Sequence, residues 1–191
     1  VTASYYGSII RSAIKNGKLS AKGLANWNNA AGPEKLVTWV ESHDTYANEG
    51  ETAGLTNAQL RMGWAIITAR AGGTPLFFNR PQGPEATQFP GVSQIGDKGN
   101  NEFMHPEVVA VNKFRTAMIG EDETLINPDN TGILVIKRGE KGAVVINANT
   151  EGKTKISFEI DMPNGTYKDK ANNIKCYVKN GVASMTMPSG K

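Results

Sequence analysis

Leu36-Val-Thr-Trp-Val-Glu-Ser-His-Asp-Thr-Tyr-Ala-Asn48 changes character partway along. Residues 36–40 are mostly β-branched or aromatic and follow the turn signal Gly32-Pro33, which predicts a strand. Glu41, Ser42, His43 and Asp44 come next. A buried parallel strand that runs out into ionisable groups is how α/β enzymes present chemistry, because ligands bind beyond the carboxyl ends of the strands. A strand ending in a merely solvated polar loop gives the same pattern, and spacing alone does not separate the two.

Downstream, Thr56-Asn-Ala-Gln59 is a capping box, and Leu55 before it is placed to staple onto Leu60. Leu60, Gly63, Trp64, Ile67 and Ala71 share one helical face, with Gly72-Gly73 as the expected stop. Residues 74–78 are a second apolar strand. Strand, helix and strand within about forty residues predict a βαβ unit with parallel strands and a right-handed crossover. Upstream, Ser4 is the expected cap of a helix whose stripe is Tyr6, Ile9, Ile10 and Ala13, ending at Gly17. Residues 20–31 read as a loop with one helical turn, anchored by Trp27. Residues 81–101 form a Gly/Pro/Gln-rich stretch long enough to be a functional loop. Pro106 suits the first position of a further helix and Glu107 its positive end, with Val111, Phe114 and Met118 buried and Gly120 closing it.

From Asp122 the period changes. Short strands are expected at 133–137, 143–148, 155–160, 174–178 and 182–187, separated by turn clusters such as Arg138-Gly-Glu-Lys-Gly142. Strands without intervening helices predict an antiparallel sandwich and a domain boundary near residue 122.

Composition narrows the function classes. The 191 residues carry 21 basic and 18 acidic side chains, a net charge of +3 dispersed along the sequence, which predicts no nucleic-acid and no membrane partner. The single Cys176 excludes an intramolecular disulfide and a multi-cysteine zinc site. No Asp-x-Asp-x-Asp-Gly calcium loop occurs. No apolar run approaches the ~20 residues of a membrane span. The N-terminus lacks a signal-peptide layout, so Val1 reads as an internal starting point.

Val-Glu-Ser-His-Asp-Thr, with Asn48 four residues beyond Asp44, resembles a region of the α-amylases, the family 13 glycoside hydrolases, at the exit of barrel strand seven. Gly73-Thr-Pro-Leu-Phe-Phe78 is similar to their strand-eight region, and the order of elements resembles the C-terminal part of a bacterial α-amylase over nearly the whole chain. The resemblance implies an α/β plus all-β fold. Residues 1–122 would be the end of a (β/α)8 TIM barrel, from helix six to helix eight. Residues 123–191 would be an antiparallel β-sandwich lacking its last strand.

It also implies a secreted bacterial enzyme that hydrolyses internal α-1,4 bonds of starch or maltooligosaccharides with retention. The nucleophile and acid/base of that family come from strands four and five, whose motifs have no match here; they belong to the rest of the barrel, this segment's implied partner. Asp44 is implied as the carboxylate that stabilises the transition state, and His43 and Asn48 as sugar contacts. No cofactor is expected in this chain, and calcium is implied for the parent through residues outside it. The isolated chain is expected to be inactive.

Two alternatives stay open: a non-catalytic carbohydrate-binding or structural module, and a fragment of a related α-glucan transglycosylase. Against sugar binding by the sandwich, Phe158, Tyr167 and Tyr177 are its only aromatic residues. Glu41 is expected to pack or pair structurally, Tyr46 to anchor a loop, Trp39 and Trp64 to lie in the core, and His105 to cap a helix or face water. Gln94-Ile-Gly-Asp97 also resembles the family and is assigned turn chemistry only.

Overall fold

The computed structural model describes residues 1–48, 50–81 and 96–191. Helix α1 (Ser4–Lys15) buries Tyr6, Ile10 and Ile14. Its cap position is Ala3 rather than Ser4, with no side-chain cap. The reason lies before the helix: the Val37 N–H donates to the Val1 carbonyl (2.8 Å) and the Ala3 N–H to the Val37 carbonyl (2.9 Å). The chain therefore enters α1 from an extended segment, already paired, and Ser4 falls inside the first turn. Gly17, at φ 65°, terminates the helix as expected. The turn expected in residues 20–31 is α2 (Ala21–Ala25), capped by Ser20 Oγ accepting from the Gly23 N–H.

Strand β1 (Val37–Thr38) pairs in parallel with β2 (Thr74–Pro75), and helix α3 (Asn57–Ala69) lies between them in sequence. The parallel βαβ unit is as expected, but both strands are shorter than 36–40 and 74–78. Pro75 has no N–H to donate, and the ladder closes with the Leu76 N–H on the Thr38 carbonyl. Helix α3 opens on the expected capping box, Gln59 N–H to Thr56 Oγ1 and Thr56 N–H to Gln59 Oε1. It buries Met62, Trp64, Ile66, Ile67 and Ala69, more than one stripe, because α1, β2, the later strand Gly142–Ile146 and helix α4 (Pro106–Ala117) all touch it. It ends at Ala69 rather than at Gly72-Gly73. Arg70 turns the backbone out of the helix at ψ 150°, and its buried guanidinium bonds the Leu24 and Ala25 carbonyls and Glu123. Helix α4 starts at Pro106 with His105 Nδ1 accepting from the Glu107 N–H.

The remainder is antiparallel. Strands β3 (Glu123–Ile126), β4 (Leu134–Arg138) and β5 (Gly142–Ile146) form one sheet in that order. Strands β6 (Lys153–Glu159), β7 (Gly165–Lys168), β8 (Lys175–Lys179) and β9 (Val182–Pro188) form a second, in the order β6-β9-β8-β7. Strands β3 and β7 were not among the sequence expectations. Both are four-residue edge strands without a clean apolar alternation, so pairing rather than burial defines them.

Strand β4 is fully buried along its centre. Leu134 and Ile136 join a core with Ile10, Ile14, Ile66 and Ile67 of the helices. Ile133 and Val135 join a second core with Ile156, Phe158, Val178 and Met185 of the four-stranded sheet. The three-stranded sheet is thus a shared wall between the helical layer and the second sheet.

Candidate active-site turn

The candidate cluster forms where β1 runs out, and two glycines let helices approach it. A Cβ on Gly7 of α1 would lie 2.5 Å from the Trp39 carbonyl oxygen, and one on Gly63 of α3 would lie 2.7 Å from a Val40 methyl. Helix α1 therefore presses on the backbone, and α3 on the Val40 side chain, of the segment that leads into residues 41–44.

The backbone then makes a single π-helical turn, Asp44–Asn48. Wide turns of this kind recur at functional sites. Ser42 and Thr45 tie its entrance reciprocally: the Ser42 N–H donates to Thr45 Oγ1 (2.9 Å) and the Thr45 N–H to Ser42 Oγ (3.3 Å). Thr45, Tyr46 and Ala47 are buried, which roots the turn. His43 and Asp44 stand outward, their side chains 63% and 51% exposed, with His43 Nε2 3.4 Å from Asp44 Oδ1.

Two arginines hold the segment from beneath. Arg80 forms a bidentate pair with buried Glu41, Nη2 to Oε1 at 2.7 Å and Nε to Oε2 at 3.0 Å. It also donates to the Thr52 and Leu55 carbonyls and lies 4.7 Å over the Tyr46 ring. Arg11 forks onto Glu51, donates to the Val40 carbonyl at 3.1 Å and lies 5.4 Å from the Trp39 ring. The loop is therefore clamped at its start by Val40 and Glu41 and further on at Glu51, Thr52 and Leu55.

Of the three residues singled out, His43 and Asp44 are adjacent on the exposed turn. Asn48 closes the turn, but its side chain lies outside the described residues. Gln94 lies outside them too, while Asp97 is exposed. Glu41 pairs structurally, Tyr46 is a buried anchor against Phe78 and Trp64 is a core residue, all as expected; Trp39 is only partly buried.

Sequence reasoning missed Arg11 and Arg80. Arg11 carried a usable signal, since it sits beside Ile10 on α1 and four residues after Gly7, where no side chain blocks its path. Arg80 carried none.

An outward carboxylate beside an imidazole offers an acceptor and a donor to a hydroxyl-rich ligand. It does not make an acid/base pair of carboxyls, because Glu41 is locked to Arg80. A cavity of about 30 Å³ is lined by Val40, Glu41, Leu60, Trp64, Phe77 and Arg80, room for a water but not for a sugar ring. Among the described residues no three His, Cys, Asp or Glu side chains converge. No carboxylate cluster among the described residues fits calcium.

No family model matches the chain. It is 42% identical over 96% of its length to an α-amylase of Butyrivibrio fibrisolvens, and 39% identical over 85% of its length to an α-amylase of Clostridium acetobutylicum. It spans only 20% and 19% of those two relatives. The wild-type α-amylase I of Eisenia fetida superposes with a TM-score of 0.71 over 98% of this chain and 46% of its own, at 16% identity, a likeness of fold alone. Over nearly all its length the chain is a homologue of a segment of bacterial α-amylases.

Proposed function

We propose that this chain is part of a retaining α-amylase acting on internal α-1,4 bonds of starch and maltooligosaccharides, and that Asp44 is its transition-state-stabilising carboxylate. The observation that carries the reading is the 42% identity across 96% of the chain. The exposed His43–Asp44 pair beyond a parallel strand supports it from geometry, because that is where α/β folds bind ligands.

Residues 1–122 are read as the last part of a (β/α)8 barrel. In support, three segments run parallel and side by side: Thr2 bridged to Val37, then β1, then β2. In this reading the first segment ends strand six, β1 is strand seven and β2 is strand eight. Residues 123–191 are the C-terminal sandwich.

Retaining hydrolysis needs a nucleophile and an acid/base about 5 Å apart, and both are assigned to preceding strands. Asp44 accepts hydrogen bonds from sugar hydroxyls next to the reacting carbon. Those bonds strengthen as positive charge develops on the ring, which lowers the barrier without bond-making by Asp44. His43 donates to the same sugar, and Asn48 contacts the next one. The enzyme is read as secreted, with calcium held by other parts of it.

In the full-length protein, Asp44→Asn is expected to lower kcat on the order of a hundredfold with little change in KM. A change confined to KM would remove the transition-state role. The 191-residue chain alone is expected to release no sugar from starch; measurable hydrolysis by the pure chain would contradict the assignment of the nucleophile and acid/base to other segments.

A further inference from the structure

The four-stranded sheet turns one face to the inner core and one to solvent, and the register fixes what the outer face displays. One complete row across the sheet is Ser157–Ser184–Tyr177–Thr166, in the strand order β6-β9-β8-β7. Every member carries a hydroxyl. Tyr177 is 51% exposed, and the Ser157 and Ser184 hydroxyls bond each other at 3.0 Å. The row on one side contains Lys155 opposite Thr186 and Lys168 opposite Lys175; the row on the other contains Glu159, Val182 and Lys179. Lys153 lies opposite Pro188 at the end. Strands β6 to β9 thus expose five lysines and one glutamate on one surface, net +4, against +3 for the whole chain.

Ordinary structural roles do not account for this set. Lysines on edge strands discourage sheet-to-sheet aggregation, which covers Lys153, Lys155 and Lys168. Lys175 and Lys179, however, are on β8, an interior strand. Like charges directly opposite each other are unfavourable, yet Lys168 and Lys175 face each other. The lysine ion pairs among the described residues are Lys141–Glu121 and Lys191–Glu107, neither on this face.

We propose that the outer face of the four-stranded sheet binds an acidic polysaccharide. Sugar rings would lie along the Ser157–Ser184–Tyr177–Thr166 row, with Tyr177 as a stacking surface. The flanking lysines would pair with carboxylates of the polymer. The row crosses three inter-strand gaps of ~4.8 Å, long enough to engage more than one sugar unit. The face contains no arginine, the residue best suited to phosphate forks; among the described residues Arg11, Arg61, Arg70, Arg80, Arg115 and Arg138 are all engaged within the fold. That favours a carboxylated glycan over a nucleic acid. The proposal is independent of the α-amylase reading.

The test is affinity electrophoresis and titration calorimetry of the 191-residue chain with polygalacturonate, amylose, single-stranded DNA and phosphatidylglycerol vesicles. Binding to polygalacturonate is expected to exceed binding to the other three and to weaken as salt is raised. Lys168→Gln/Lys175→Gln should reduce the affinity about tenfold, while Lys113→Gln, a lysine removed elsewhere on the surface, should leave it unchanged. Circular dichroism checks that each variant keeps its sheet; if the double variant fails to fold, Lys179→Gln/Tyr177→Ser takes its place with the same expected loss. No binding to polygalacturonate, tighter binding to DNA or vesicles, or equal losses in the face variants and Lys113→Gln would overturn the proposal.

Discussion

Glu41 is the residue on which the His43–Asp44 turn rests, and its energetics are asymmetric. Its side chain is only 4% exposed, and Arg80 supplies the compensating charge while also satisfying the Thr52 and Leu55 carbonyls. Removing one member of a buried pair leaves the other uncompensated, at a cost of about 3–5 kcal/mol. Arg80→Met should therefore lower the unfolding free energy measured by urea melts by that order, and Glu41→Gln/Arg80→Met should recover part of it, because no orphan charge remains. A double variant no more stable than Arg80→Met would contradict the orphan-charge account. From the sequence, Glu41 was legible as structural, since alternation on a strand points it away from Ser42. Its partner was not, because Arg80 is 39 residues away and nothing local marks it. His43 and Asp44 were legible as candidates because the residue type changes from apolar to ionisable after Val40.

At the scale of elements, what could be read in advance was what is decided within one turn. The capping box at Thr56, the Pro106 start of α4 and the Gly17 stop each depend on contacts a few residues apart. The end of α3 was not legible, because Arg70 is drawn out of the helix by partners on α2 and β3. Edge strands β3 and β7 escaped for lack of an apolar pattern.

Helix α4 illustrates how a cap couples to charge. Burial works to raise the pKa of Glu107, but the hydrogen bonds and charges of Arg61 and Lys191 outweigh it and hold the carboxyl below its ordinary value. A carboxyl depressed in the folded state contributes stability in full above its unfolded pKa of about 4.3. That contribution is lost as pH falls from there through the lower, folded value. Glu107→Gln should cost about 1–3 kcal/mol at pH 7. It should also flatten the fall of stability across that acidic window, measured by urea melts at several pH values. An acid limb as steep as that of the parent chain would show that other carboxyls control it.

Across the whole molecule, the lysine face and the shared wall are both consequences of topology. The lysines of β6, β7 and β8 lie as far apart as residues 153 and 179, and only the order β6-β9-β8-β7 gathers them. Strand β4 likewise belongs to two cores at once, since Leu134 and Ile136 face the helices while Val135, with Ile133 just before the strand, faces the second sheet. Arg138, at its end, bonds the Ala69, Met118 and Glu121 carbonyls and so ties the strand to the ends of α3 and α4. Loss of packing on either side of β4 should therefore destabilise both. Val135→Ala removes two methyl groups from a side chain that is 0% exposed and faces away from the helices, a cost of about 1–3 kcal/mol. All three tryptophans, Trp27, Trp39 and Trp64, lie in the first 122 residues. If β4 couples the layers, tryptophan fluorescence and far-UV circular dichroism should report one shared transition, shifted to lower urea in Val135→Ala by the same amount for both signals. A variant whose dichroism shifts while its tryptophan transition stays in place would show that the helical layer unfolds independently of the sheets, and that β4 is a boundary between them rather than a wall they share.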